Sequence, residues 1–412
     1  MSYKKFSGAA SAALIIVIAI FMLTPSAWAQ SKYKTLYKFK GGKEGSLPYA
    51  GLIFDTAGNL YGSTEKGGVH KAGTIFKLTP TSGGGWTESV LYSFTGGQDG
   101  ANPQDDLISD SSGNLYGTAS LGGAYKNGAV FELTPTSDGW TESVLYSFTG
   151  GADGAGAGNG VILDPDGDLY GATWDGGNVT NFCYLGCGVV FELTRGTNNW
   201  TESVLYSFTQ GSDGTNSSGG LTFDSAGNLY GSAWNWGTYG YGVIFELTPS
   251  ADGTWTQNVL YSFKGGSDGA NPQGRLIFDT AGNLYGTTRN YYSGYGIVFK
   301  LVPNSNGTWT KQTLHQFTGG KDGANPYVGL TFDSAGNLYG DTNDGGASGY
   351  GVVFKLTPTS SGGWSYRVLH TFVDKPGAYP RGDLIIDGSG NIYGTTYGDG
   401  TTTFGSVFEI TP

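Results

Sequence analysis

The chain has 412 residues, a formal charge of -11, 74 glycines and only two cysteines, with aromatic residues at 14% and charged residues at 13%. So high an aromatic content excludes a disordered chain, and an acidic balance that repels phosphate backbones excludes nucleic acid as an expected partner. The composition is that of an ordered, turn-rich β protein.

In chain order, Lys4 and Lys5, an apolar run from about Ala9 to Leu23, Pro25 and then Ala27-Trp28-Ala29 read as an export signal, residues 1–29, cut after Ala29. The run is short for a membrane span and ends in a cleavage pattern, so the mature chain is expected to keep no stable span. Removing the signal leaves 20 basic against 33 acidic residues. The mature protein is expected to be secreted or periplasmic, and monomeric.

A lone strand, Lys32 to Phe39, follows with nothing before it to pair with. From there one pattern recurs seven times, headed by Leu36, Leu91, Leu145, Leu205, Leu260, Leu314 and Leu369, at a period of 54 or 55 residues with one of 60. A repeat of this length cannot bury both faces alone and must stack on its neighbours. The second copy shows the pattern: turn residues Gly96 to Pro103, a short strand Leu107 to Asp110, a second Leu115 to Thr118, a glycine-rich loop, a third Ala129 to Thr134, and a fourth Trp140 to Phe148. The last copy stops at Pro412 after three strands, the complement of the lone strand at the start.

The expected fold is therefore all-β, a seven-bladed β-propeller of four-stranded antiparallel blades over residues 30–412, closed by the N-terminal strand. Its blades are 51–95, 105–149, 160–209, 220–264, 275–318, 329–373, and 382–412 completed by 32–40. The second-strand glycines, such as Gly62, Gly117 and Gly286, are expected where a side chain would crowd the neighbouring blade. The Asp-x-x-Gly-Asn segments, as at Asp55 to Asn59, read as hairpin turns.

These motifs closely resemble the Gloeo/Verruco (GloVer) tandem repeat, of the choice-of-anchor type. Its hallmark of Leu-Tyr-Ser-Phe-Thr-Gly-Gly-x-Asp-Gly-Ala-Asn-Pro, Asp-x-x-Gly-Asn-Leu-Tyr-Gly-Thr-Thr and Gly-x-Val-Phe-Lys-Leu-Thr-Pro is followed almost throughout by Leu91 to Pro135 and Leu260 to Pro303. The resemblance implies an exported or surface-exposed bacterial protein, often with a separate sorting anchor, and no assigned activity. The sequence ends without a hydrophobic tail, from which release or periplasmic residence is expected. The strand-turn-strand core is more distantly similar to streptogramin-lyase and gluconolactonase-like propellers, with no match to their catalytic sets.

Function is sought where the copies differ, chiefly the loop between strands two and three. It holds 16 residues in blade three, with Cys183 and Cys187 expected to form a local disulfide, against nine or ten elsewhere. The loop should share a face with the Gly-Gly-x-Asp-Gly crossovers, where a central pocket would open. The residue heading it is Glu65, Ser120, Trp174, Trp234, Arg289, Asn343 or Tyr397. Aromatic plates flanked by polar groups suit a sugar ring, so Trp174, Trp234, Trp236, Tyr291 and Tyr292, with Asp175 and Arg289 as polar partners, are the expected binding set for a polysaccharide or surface glycan. A polysaccharide lyase or glycoside hydrolase built on the same pocket is the alternative, and a structural surface protein a third. No catalytic motif stands out. His315 and His370 replace tyrosines of the fourth strand, and His70 has no evident partner. No metal or other cofactor is expected, although the crossover acids Glu44, Asp99, Asp153, Asp213, Asp268 and Asp322 could ring the channel mouth and attract calcium. Their more economical reading is as turn formers.

Overall fold

The structure is a computed structural model that describes residues 31–412 except 198, 291–293 and 376. Seven antiparallel sheets follow one another along the chain, and no α-helix occurs among the described residues. Blade one is typical: a two-residue strand Ile53–Phe54, then Leu60–Thr64, Thr74–Pro80 and Trp86–Ser93, each hydrogen-bonded to the next. In blade seven the order is Ile385–Ile386, Ile392–Thr396, Ser406–Thr411 and finally the N-terminal strand Lys32–Lys38. That last pairing runs from Lys32 opposite Thr411 to Lys38 opposite Ser406. The two halves of one blade thus come from opposite ends of the sequence, and the ring closes as a seven-bladed β-propeller.

Alternation along the third strand explains why blades must stack. Ile75 packs toward blade two, while its neighbours Phe76 and Leu78 pack toward blade seven. All three are fully buried. Successive side chains of a strand point to opposite faces, so a blade with both faces apolar is stable only between two others. Seven such clusters occur, each joining two adjacent blades, including one between blades seven and one that holds Leu36 and Phe39 of the N-terminal segment.

The second-strand glycines answer to a different neighbour from the one expected. A Cβ on Gly62 would lie 2.7 Å from Phe76 Cζ and 3.0 Å from Leu52 Cδ2, both in its own blade. Gly62 stands directly opposite Phe76 in the ladder, and the phenyl ring lies across the space a side chain would need. The Asp-x-x-Gly-Asn segments are the expected turns: Asp55 Oδ1 accepts from the N–H groups of Ala57 and Asn59, and its Oδ2 accepts from Asn59 Nδ2 and Tyr61 Oη. Between strands three and four the register slips once in every blade, at Ile75/Phe76 in blade one and between Thr35 and Tyr37 in blade seven. Such a bulge adds local twist.

Candidate functional site

Each loop between strands two and three runs antiparallel to the crossover that entered its blade. The two are bridged at Ala101 and Leu121, at Ala155 and Asp175, and at Ala324 and Asp344. The residue heading the loop is held by its own N–H, which donates to a crossover carbonyl: Trp174 to Gly156 at 3.3 Å, Arg289 to Asn271 at 3.1 Å, Asn343 to Asn325 at 3.1 Å and Tyr397 to Tyr379 at 3.0 Å. The accepting residues share a left-handed φ of 53 to 65°. Variable side chains are therefore carried on a fixed backbone, which is what a binding site requires.

Trp174, Trp234 and Arg289 open onto one cavity of about 660 Å³, lined by residues of the blades and of the crossovers that enter them all around the ring. On one side Trp174 and Trp234 meet edge to face, with ring centroids 5.9 Å apart. Asp175 is half-buried beside them, and burial raises its carboxyl above the usual range. Next to Trp234, the Arg289 guanidinium lies 5.8 Å from its ring centroid and 4.6 Å from that of Tyr327. Arg381 lies 4.2 Å from the Tyr397 ring and 5.3 Å from Tyr327, and its Nε donates to Asn343 Oδ1 at 2.9 Å. Of the expected binding set, Trp174, Asp175, Trp234 and Arg289 line this cavity. Trp236 does not: it turns away at a left-handed φ of 63°, its ring 5.4 Å from that of Phe182. Tyr291 and Tyr292 lie outside the described residues.

Cys183 and Cys187 are joined, with Cα atoms 5.1 Å apart, and both are buried in the cluster between blades three and four. The crossover acids are not at the channel mouth. Asp99 Oδ2 accepts from Thr95 N at 2.7 Å and from Tyr92 Oη of the fourth strand at 2.9 Å, while Oδ1 accepts from Thr95 Oγ1. Asp153 and Asp213 repeat the arrangement with Tyr146 and Tyr206, and Glu44, Asp268 and Asp322 likewise pair with Tyr37, Tyr261 and His315. Each is committed to the outer strand, so the turn-forming reading accounts for their geometry. Among the described residues no three carboxylate, imidazole or thiolate groups converge closely enough to ligate a metal.

The cavity floor is built from residues that the sequence reading passed over, the three between the crossover Pro (Ala157 and Ser217 in blades three and four) and the first-strand apolar residue. The third of them forms a ring of Gly51, Asp106, Gly160, Gly220, Arg275, Gly329 and Asp383. The charged side chains use the space of neighbouring glycines: a Cβ on Gly51 would lie 2.9 Å from Asp106 Oδ1, and one on Gly220 would lie 2.9 Å from Arg275 Nε. Asp106 accepts from Gly51 N at 2.5 Å, Asp383 from Gly329 N at 2.7 Å, and Asp105 from Asp106 N at 2.7 Å. Burial raises all three carboxyls against the pull of Arg275, Asp105 to about 7 and Asp106 well above the ordinary range with further push from Asp383 and Asp105. All three line the cavity, and three acids facing one guanidinium titrate as a coupled set. Asp341, in strand two of blade six and almost fully buried without a hydrogen bond, has its carboxyl pushed well above the usual range by the same burial and by Asp383.

Three solved structures show how far the likeness to known folds extends. A glucose dehydrogenase described as a putative oxidoreductase, from Thermus thermophilus, is 14% identical with a TM-score of 0.42, covering 92% of this chain and 100% of its own. A protein of unknown function from Dyadobacter fermentans is 11% identical with a TM-score of 0.45, covering 93% and 98%. The PQQ-bound aldose sugar dehydrogenase of Streptomyces coelicolor is 12% identical with a TM-score of 0.42, again covering 93% and 98%. No curated protein matches the sequence. A family model does, over residues 18–222 and 184–408, so nearly the whole chain is accounted for by two stretches of the same pattern. The chain belongs to the Gloeobacter/Verrucomicrobia repeat family.

Proposed function

We propose that this propeller is an exported binding module that takes a carbohydrate into its central cavity. The observation that carries the reading is the pairing of an aromatic wall, Trp174 and Trp234, with polar groups fixed opposite and below it. Indole faces stack on the C–H face of a sugar ring, while Asp175, Gln104, Asn159 and Gln273 supply partners for hydroxyls. A volume of about 660 Å³ is in the range of small-ligand sites, enough for a short saccharide. The test is a glycan array with the chain from residue 30, followed by titration calorimetry of the hits. Trp174→Ala or Trp234→Ala should weaken binding by about 1 to 3 kcal/mol, the cost of losing an anchoring aromatic. Unaltered affinity in both variants would place the ligand elsewhere.

One observation favours a second reading, a glycoside hydrolase or lyase. Asp105, Asp106 and Asp383 lie within one cavity, and a carboxyl held near 7, as in Asp105, suits a general acid at neutral pH. A reducing-end assay on each array hit separates the readings: product that appears with the parent and not with Asp105→Asn assigns catalysis.

A further inference from the structure

We propose that the saccharide is anionic, a hexuronate whose carboxylate is received by Arg381 with Arg289 beside it, both held against the ring of Tyr327. The inference rests on the carbohydrate reading of the central cavity and goes on to name the class of sugar.

The chain has only five arginines, and three of them, Arg275, Arg289 and Arg381, line this one cavity, which no lysine lines. In an acidic chain this gathering is selective in both place and residue type. Arg289 and Arg381 come from blade five and the crossover into blade seven and lie 4.6 and 5.3 Å from the ring of Tyr327, which the crossover into blade six supplies. A guanidinium set over aromatic rings keeps its charge while its fork is held in one plane.

Arg381 is the clearer case. Its Nε donates to Asn343 Oδ1 at 2.9 Å, which fixes the direction of the fork. Among the described residues no carboxylate comes within 4.0 Å of it, since none of the ion pairs present involves it. A planar, oriented fork with its charge uncompensated inside a cavity matches a carboxylate, which it can bind through two parallel hydrogen bonds. The floor gives the ligand a direction. Asp105, Asp106 and Asp383 gather there around Arg275, so a negative group is favoured at the Arg289 and Arg381 side and repelled at the floor. Hydroxyls face the acids, the carboxylate faces the two arginines, and the sugar's apolar face meets Trp234, over which Arg289 already lies. Rings carrying several sulfates would place negative charge against the floor as well.

The experiment is titration calorimetry of the chain from residue 30 with galacturonate, glucuronate and mannuronate oligomers, the methyl ester of each, and a sulfated galactan of similar length. At least one uronate should bind tenfold or more tightly than its own ester, with an affinity that falls as salt is added. Arg381→Gln should lower that acid-to-ester ratio at least tenfold, with folding checked by circular dichroism and Arg289→Gln as the second variant should the first misfold. Acid and ester bound equally well, with the ratio unmoved by either variant, would overturn the carboxylate assignment and leave the carbohydrate reading standing. Tighter binding of the sulfated galactan than of every uronate would overturn it too. Failure of every sugar here and on the array would remove both readings together.

Discussion

Three glutamates in equivalent places, Glu88, Glu142 and Glu202, should make the stability of the ring fall as pH rises through neutrality. Each stands in a fourth strand opposite a third-strand leucine, Leu78, Leu133 or Leu193, with its Oε1 buried and without a partner. In the next three blades a donor holds that place: Gln257, Lys311 and Tyr366 donate to the backbone carbonyls of Asp213, Asp268 and Asp322 at 3.2, 2.7 and 2.5 Å. A glutamate can donate only when protonated. Burial, reinforced by Glu44, Asp99 or Asp153, pushes the three carboxyls up to about 7. Because this lies above the ordinary 4.5, the folded chain holds the protons more tightly than the unfolded one. The contribution is complete below about 4.5 and is lost as pH rises through about 7. At about 1.36 kcal/mol per pH unit the ceiling is ~3 kcal/mol per site, which screening at half-exposed side chains reduces to ~1 each and ~3 for the three. The triple variant Glu88→Gln, Glu142→Gln, Glu202→Gln carries a donor at every pH. Urea unfolding should find it equal to the parent at pH 5 and ~3 kcal/mol more stable at pH 8, or roughly 4 °C in a thermal scan of so long a chain. His370, lowered to about 4, and Asp105 titrate nearby, so the variant-minus-parent difference is the quantity to follow. The same difference at both pH values would refute the reasoning.

Two further outcomes follow from the packing. Gly286→Ala places a methyl 2.7 Å from Leu276 Cδ2 and 2.8 Å from Phe299 Cζ, so it should cost about 1 to 3 kcal/mol in chemical unfolding, and a neutral result would show that the phenyl ring can move aside. Deleting residues 31–40 removes the strand paired with Ser406–Thr411 along with Leu36 and Phe39, and should lower the melting temperature sharply or produce aggregates by light scattering. An unchanged melting temperature would mean that the ring does not depend on this closure.

Much of the architecture was legible because it is written seven times. A period of about 54 residues, four strand patterns within it and complementary ends at Lys32 and Pro412 leave little choice but a closed ring. The second-strand glycines were recognised as tight places, but their neighbour was not, since the ring of Phe76 reaches Gly62 across the ladder and sequence spacing does not reveal that. The site was half legible. Trp174, Trp234 and Arg289 stood out because equivalent positions in other copies are unlike them, and the fixed loop backbone puts them in one cavity. Asp105, Asp106, Arg275, Arg381 and Asp383 were missed although the same signal was present, as the three residues before the first-strand apolar residue differ in every blade. They sit beside so regular a turn that they read as part of it. The crossover acids were legible for the opposite reason: their recurrence in nearly every blade favoured turn formers over a site, and each binds its own outer strand.

The offset between repeat and blade bears on how such rings grow. Each copy of the pattern, counted from its Leu-Tyr-Ser-Phe, supplies the fourth strand of one blade and the first three of the next, and blade seven is completed from residues 32–38 by the same rule. A duplication or loss of one whole copy therefore leaves no strand unmatched: the ends still complement each other, and only the angle between blades has to adjust. The number of blades can change by recombination within this family without a new closing device, and the triplet before each first strand gives every added blade its own contribution to the floor of the cavity.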